Sequence, residues 1–524
     1  MNMQKIKELM SQMTLEEKVY QTVIRMEGSI YDEEQAKSLL QEQPLGGFFV
    51  GEEIIGSDSL TGDDLVRAVH RAYEYSKIPP IICADTEFGC GYMFPDGRYS
   101  GFPWQMTLGA TANPNYAYDF GKYTAIPARE IGVNLSLDPV ADLNMNFMNP
   151  VTNTRAIGDD PDLVRSMLLS KMKGMQEFGL GATAKHFPGD GVDYRDQHYT
   201  LTSNTLSMEE WWSTFGSIYK ELIDNGLLCV MAGHISLPAY QKERIDGIAP
   251  PATLSKELIT DLLKGELGFR YAVMSDALCM NGFRTMYCDQ VRSELECFKA
   301  GVDLMLWPCA EFVPAMLRAL ENGEISMSRL DDAVERILLL KYELGLFGDK
   351  EFKTDSMDGV FNLDQKVSEA AMTLVRDRKN LLPCSDKKNI AVIGLTDHDD
   401  EMESLKIFAE ELKGCGANVE IHQYEIPNDA PDYDLFVYCT FCHQHKPRGY
   451  LQVVQPWQTA TLSKENTIAV AFGSPYLINS NFPTVNTAIA LYSDTEYCLR
   501  SAAKGILGKL PFKGTLPVKL QKIN

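Results

Sequence analysis

No apolar run in the sequence approaches the ~20 residues that a bilayer-spanning helix needs, which excludes a transmembrane protein of that kind. Positive charge is also scarce. The 49 Lys and Arg stand against 72 Asp and Glu, for a formal net charge of -23. Nucleic acid and anionic membrane surfaces repel such a chain, so neither is an expected partner. The first residues, M-N-M-Q-K-I-K-E-L-M-S-Q-M-T-L-E-E-K, make a polar, helix-like start without an apolar signal core. The twelve cysteines are scattered, mostly in apolar segments, as at Cys83, Cys229 and Cys297. Buried free thiols in the cytoplasm are expected, rather than a disulfide framework. Gly394 carries no G-x-G-x-x-G fingerprint, so no dinucleotide site is expected. Cys439, Cys442, His443 and His445 have zinc-like letters, but Cys439 lies inside the apolar run F-V-Y-C and no second ligand pair is near. Neither a metal nor an organic cofactor is expected.

What remains is an ordinary globular composition, 45% hydrophobic and 23% charged, on a chain long enough for two domains. Thr14 to Glu17 has the spacing of a helix-starting capping box. Short apolar runs then recur, each followed by a helical pattern: 46–50, 80–84, 133–137, 182–185, 228–232, 271–274 and 301–306. Strands alternating with helices over about 300 residues predict an α/β fold, a TIM-type (β/α)8 barrel. The runs end in polar residues: Asp85, Asp138, Lys185-His186, His234 and Asp276. In such a barrel that end carries the active site. A long amphipathic helix over 326–345 closes the barrel, and five more strand-like runs, at 389–393, 418–422, 435–440, 467–472 and 487–492, predict a smaller α/β sandwich. The expected domains are a catalytic barrel over 1–350, a linker and connecting helix over 351–388, and the sandwich over 389–524.

One loop stands out, A-K-H-F-P-G-D-G-V-D-Y-R-D-Q-H from Ala184 to His198. Pro188, Gly189 and Gly191 end a strand, and Asp190, Asp193, Asp196 and His198 follow. One residue separates Asp196 from His198, so both can point the same way in extended backbone. A carboxylate beside a histidine fixes its tautomer and stabilises its protonated form. The loop therefore reads either as a proton-transfer site or as a solvated acidic loop with an ordinary surface histidine. His234 reads equally as a pocket residue or as a barrel-interior histidine, and Asp138 and Asp142 as loop-fixing carboxylates.

Taken in order, the motifs resemble those of glycoside hydrolase family 3, in its β-N-acetylhexosaminidase branch, over nearly the whole chain. They are M-T-L-E-E-K, D-T-E-F-G, K-H-F-P-G-D-G with D-Q-H, M-A-G-H, P-A-T-L-S, S-D-A-L-C-M and K-Y-E-L-G-L-F, then G-S-P-Y and G-T-L-P-V in the second domain. The resemblance implies a retaining, exo-acting enzyme that acts on terminal β-linked amino sugars through a covalent glycosyl-enzyme. It maps Asp276 onto the nucleophile, His198 onto the general acid/base and Asp196 onto its partner. By the same mapping Asp85, Lys185, His186 and Arg155 bind the sugar, and His234 joins the pocket. A small carbohydrate is the only implied partner. Three positions depart from the branch: Asp190 replaces a histidine, Gln197 replaces a small hydroxyl residue, and Met93 stands where a pocket arginine is usual, with Arg98 out of register. The other readings are a β-glucosidase or β-xylosidase, a glycoside phosphorylase, and a sugar-binding protein without activity. The D-Q-H element speaks against the first of these, and the presence of Asp276 and His198 against the last.

Overall fold

In a computed structural model, residues 3–51, 59–94, 99, 101–348, 350–414, 416–427, 431–441 and 465–521 are described. Arg98 and the zinc-like Cys442, His443 and His445 lie outside them. Among the described residues no helix is long and apolar enough to cross a membrane, and the described cysteines are free thiols.

Eight parallel strands form the first sheet: β1 (Val23–Met26), β2 (Gly47–Phe49), β3 (Ile81–Ala84), β4 (Leu135–Ser136), β5 (Gly181–Phe187), β6 (Cys229–Ala232), β7 (Val273–Ser275) and β8 (Met305–Leu306). They run in the order β8-β1-β2-β3-β4-β5-β6-β7, and a parallel bridge between Met274 and Leu304 joins the two ends into a barrel. Seven of these strands fall where the apolar runs place them. The eighth, β1, reads Val-Ile-Arg-Met and follows the helix Leu15–Tyr20 after only Gln21 and Thr22, so it has no separate apolar signal. Both faces of the sheet are covered, as parallel sheets require, and every residue of β2 to β8 is buried. Ile24, Phe49, Ile81, Leu135, Met231, Met274 and Leu306 share one apolar cluster with Ile337 and Leu340 of the closing helix Met327–Glu343. The strands pack closely enough that a Cβ on Gly47 would lie 2.1 Å from the Ile81 carbonyl oxygen, so only glycine fits there.

The second sheet has six strands: β9 (Thr373–Asp377), β10 (Asn389–Leu395), β11 (Asn418–Gln423), β12 (Leu435–Thr440), β13 (Thr467–Ala471) and β14 (Thr487–Ala490). The order is β9-β14-β13-β12-β10-β11, parallel except for β9, which pairs antiparallel with β14 at the edge. Alternate residues feed two cores. Ile390, Val392, Val437 and Val470 face Phe408, Leu412 and Leu499, while Ala391, Ile393, Tyr438 and Ala471 face Met106, Ala110 and Tyr476. This is an α/β sandwich.

The chain divides into two compact units, Met1–Ser100 with Ala117–Leu143 and Leu168–Met357, and Gly101–Tyr116 with Asn144–Met167 and Asp358–Asn524. Two stretches before residue 350 thus belong with the sandwich. Close backbone approach holds them there: a Cβ on Gly109 would lie 1.9 Å from the Ile157 carbonyl oxygen, and one on Gly158 would lie 2.4 Å from that of Pro517.

Candidate active site

Adjacent strands of the barrel deliver polar side chains to its C-terminal rim. Past β3, Asp85 and Glu87 follow in the loop and turn that leave the strand. Lys185, near the end of β5, reaches both, with Nζ 2.7 Å from Asp85 Oδ1 and 2.7 Å from Glu87 Oε1. Lys185 and Glu87 are buried, while the Asp85 side chain stays 43% exposed and is the open end of the group. Glu87 is a site residue that sequence reading passed over, although the D-T-E spacing contains it.

His186 is braced from β4. Its Nδ1 lies 2.7 Å from Asp142 Oδ2, while Asp142 Oδ1 accepts the backbone N–H of His186 (3.1 Å) and of Asp190 (2.7 Å). A carboxylate on Nδ1 leaves Nε2 as the ring's working nitrogen. Asp142 is therefore a loop-fixing carboxylate. Asp138 instead makes a wholly buried pair with Lys171, Oδ2 to Nζ 2.6 Å. Burial pushes the Asp138 carboxyl above its usual range and the Lys171 ammonium below its own, because each charge has lost water.

Asp276 lies just past β7 and is buried. Its N–H donates to the Ala232 carbonyl at 2.9 Å, and its Oδ1 accepts the Ala277 N–H at 2.8 Å. Burial opposes its ionisation, but His186, His234 and His198 around it, in their protonated forms in the acid range where a carboxyl titrates, together with the Ala277 amide, outweigh that and hold the carboxyl below the usual carboxylate value. The result is an ionised carboxylate at the barrel mouth over the whole neutral range.

His234, just past β6, is wholly buried, and both ring nitrogens are engaged: Nδ1 with Thr253 Oγ1 at 3.0 Å and Nε2 with the Ala277 carbonyl at 3.1 Å. A carbonyl can only accept, so Nε2 carries the proton. Burial lowers the ring's pKa, so it is neutral at neutral pH. Of the two readings open for His234, the geometry is that of the interior histidine, with no ring nitrogen left for a sugar.

The 188–203 loop carries the imidazole. His198 Nδ1 lies 2.6 Å from Asp196 Oδ1, which also accepts the His198 backbone N–H at 2.8 Å. The His198 side chain is half exposed. The loop is tied down on each side of this pair. Asp193 grips Arg195 through Nε and Nη2 at 3.0 and 2.5 Å and accepts the Ser203 N–H at 2.9 Å. The Asn281 N–H donates to the His198 carbonyl at 3.0 Å, from the loop that follows Asp276. Gln197 points inward and is wholly buried. Its Nε2 donates to Asp190 Oδ2 at 3.3 Å and its Oε1 accepts the His234 N–H at 2.9 Å. The two positions in this loop that depart from the family pattern are thus bonded to one another.

The barrel brings together Asp85, Lys185, His186, His198, Asp196 and Asp276. Arg155 falls in the second unit, where its Nη1 meets the Val151 carbonyl at 3.4 Å. Met93 is wholly buried in the turn Gly91–Met93 and offers no charged donor.

Residues 14–340 match the glycosyl hydrolase family 3 N-terminal domain. A curated β-N-acetylglucosaminidase/β-glucosidase of Cellulomonas fimi is 29% identical over 494 residues, 88% of this chain and 87% of the relative. Among solved structures, the β-glucoside phosphorylase BglX superposes with a TM-score of 0.86 at 26% identity, over 99% of this chain and 96% of its own. A family 3 β-N-acetylglucosaminidase from Paenibacillus sp. str. FPU-7 superposes with a TM-score of 0.82 at 26% identity, over 97% and 99%.

Proposed function

The chain belongs to glycoside hydrolase family 3, and from that premise we propose that it is a retaining, exo-acting β-N-acetylhexosaminidase with Asp276 as nucleophile and His198 as general acid/base. The glycosidase chemistry is that of the family; the sugar and the residue roles are our reading. The observation that carries it is the His198–Asp196 pair at 2.6 Å, on a loop bonded to the one that carries Asp276. Retaining glycosidases ordinarily use two carboxyl groups, and here the second group is an imidazole held by a carboxylate.

In the first step the Asp276 carboxylate attacks the anomeric carbon as the glycosidic C–O bond breaks. His198 Nε2–H gives its proton to the departing oxygen, and Asp196 on Nδ1 stabilises the imidazolium beforehand. In the second step water attacks the same carbon, its proton passes to His198 Nε2, and the ester to Asp276 breaks. Microscopic reversibility returns both groups to their starting states. Asp85, Lys185 and His186 Nε2 offer acceptors and a donor to the sugar hydroxyls, while His234 supports the Asp276 loop from below.

Phosphorolysis is the second reading, and one feature favours it. A neutral imidazole does not repel an incoming phosphate as a carboxylate base would, and the similar BglX structure is described as a β-glucoside phosphorylase. Aryl β-N-acetylglucosaminides, β-glucosides and β-xylosides, each assayed with and without phosphate, separate the readings. The proposal expects the N-acetylglucosaminide to be cleaved fastest with no response to phosphate. Phosphate-dependent release of a sugar 1-phosphate from the β-glucoside would replace it with the phosphorylase.

A further inference from the structure

We propose that Gln197 is a positioning residue: paired with Asp190, it holds the His198 loop in place against the loop that carries Asp276. This rests on the reading of His198 and Asp196 as the acid/base pair and concerns what keeps that pair in place.

Gln197 sits between the two histidine-bearing strand ends and the loop itself. Its Nε2 reaches Asp190 Oδ2 at 3.3 Å and its Oε1 takes the His234 N–H at 2.9 Å. Asp190 is fixed in turn, since its N–H donates to Asp142 Oδ1 at 2.7 Å, the oxygen that also takes the His186 N–H at 3.1 Å. A chain of hydrogen bonds therefore runs from His186, through Asp142, Asp190 and Gln197, to the His234 backbone. From there the His234 ring continues it to the Ala277 carbonyl, next to Asp276. The backbone around Gln197 is equally close. A Cβ on Gly282 would lie 2.3 Å from the Gln197 carbonyl oxygen, and one on Gly233 would lie 3.2 Å from Gln197 Oε1. His198 is the next residue, so its Cα position is set by this packing, while its half-exposed ring is oriented by Asp196.

The donor and acceptor pattern is directional, and that makes it testable. Asp190 offers only acceptors and Gln197 brings the N–H. Gln197→Glu alone places carboxylate against carboxylate. Asp190→Asn alone places an amide N–H against either Gln197 Nε2 or the Gly191 N–H, which Asp190 Oδ1 now accepts at 2.6 Å. The exchange variant, Asp190→Asn with Gln197→Glu, restores the bond between the two side chains with its direction reversed and leaves the backbone bonds as they are: Asn Nδ2 donates to one Glu oxygen, the other still takes the His234 N–H, and Asn Oδ1 still takes the Gly191 N–H. A scaffold that needs only packing gains nothing from the exchange. A hydrogen bond that sets the loop is recovered by it.

The four proteins Gln197→Met, Gln197→Glu, Asp190→Asn and the exchange variant are assayed at full length on an activated and an unactivated aryl glycoside of the sugar the panel selects. Each single variant is expected to lose roughly 10- to 100-fold in kcat on the unactivated substrate, a part of what general acid catalysis supplies. It keeps KM and most of its rate on the activated one, and the exchange variant recovers most of the loss. Equal slowing of both substrates, or an exchange variant no faster than the slower single one, overturns the proposal. His198→Ala serves as the reference. If His198→Ala shows no leaving-group dependence, the acid/base reading fails; if it does and the Gln197 variants do not, only the positioning role fails.

Discussion

At the scale of the residue, the proposed reaction asks His198 to give a proton in one step and take one in the next, with Asp196 making both directions accessible. Replacing His198 by Ala should slow glycosides with poor leaving groups by ~10²–10⁴-fold while sparing activated aryl glycosides, whose leaving groups depart without protonation. Azide should partly restore the deglycosylation step in that variant, since an anion needs no general base. Asp196→Ala should show the same pattern more weakly, through loss of ring orientation. Asp276, whose carboxyl is held below its usual value against the opposing effect of burial, should keep the acidic limb of kcat/KM below the ordinary carboxylate range. A limb well above that range in a pH–rate profile would contradict the assigned environment. Asp276, Lys185 and His186 were legible in the sequence because each sits in a short motif at a strand end, and His198 because it follows Asp196 in the D-Q-H element of the loop. Glu87 and Gln197 were not. Their meaning lies in partners brought near by the fold, Lys185 for the one and Asp190 with the His234 backbone for the other, and Gln197 reads in sequence only as a departure.

At the scale of the element, burial decides what could be read. Strands that are wholly buried announced themselves through their apolar runs, and the closing helix was legible from its amphipathic pattern, with Ser326 as its cap. The two strands missed in the large sheets are mixed ones. β1 contains Arg25 and ends in the exposed Met26, and β9 is an edge strand with one buried residue of five and a register shift between Leu374 and Arg376. The closing helix also carries a feature no pattern shows. Lys341 is wholly buried, with Nζ on Gln21 Oε1 at 2.7 Å, and burial lowers its pKa to about 7. The unfolded lysine stays protonated up to its ordinary pKa of about 10.4. Between these values the unfolded state binds more protons, so this group's contribution to stability rises with pH and its cost is fully present below pH 7. Lys341→Met should therefore raise the urea midpoint most at and below neutral pH, with the gain fading towards pH 10. A gain independent of pH would mean that the lysine is not the source.

At the scale of the whole molecule, the sequence predicted barrel and sandwich, and it did not predict how the chain shares itself between them. The stretches Gly101–Tyr116 and Asn144–Met167 belong to the second unit through glycine-mediated backbone contacts that no periodicity encodes. The second unit carries its own pH dependence. Asp364 is buried, its Oδ1 accepts only a 3.1 Å bond from Ser368 Oγ among the bonds described, and burial with Glu496 nearby raises its pKa to about 7. The folded state holds this proton while the unfolded chain has released it, so stability falls as pH rises from about 4 to about 7 and the cost is complete above that. Asp364→Asn should stabilise the protein by a few kcal/mol at pH 8 and hardly at all at pH 4, read by denaturant unfolding. Neither unit's stability bears on the central claim, which is that catalysis passes through a covalent sugar on Asp276. The direct measurement is peptide mapping by mass spectrometry after incubation with a 2-deoxy-2-fluoro glycoside, which forms the glycosyl-enzyme faster than it is hydrolysed. The account expects one sugar per chain, on the peptide containing Ser275-Asp276-Ala277, and none on Asp276→Ala. A sugar on any other carboxylate, or turnover without a covalent adduct, would contradict it.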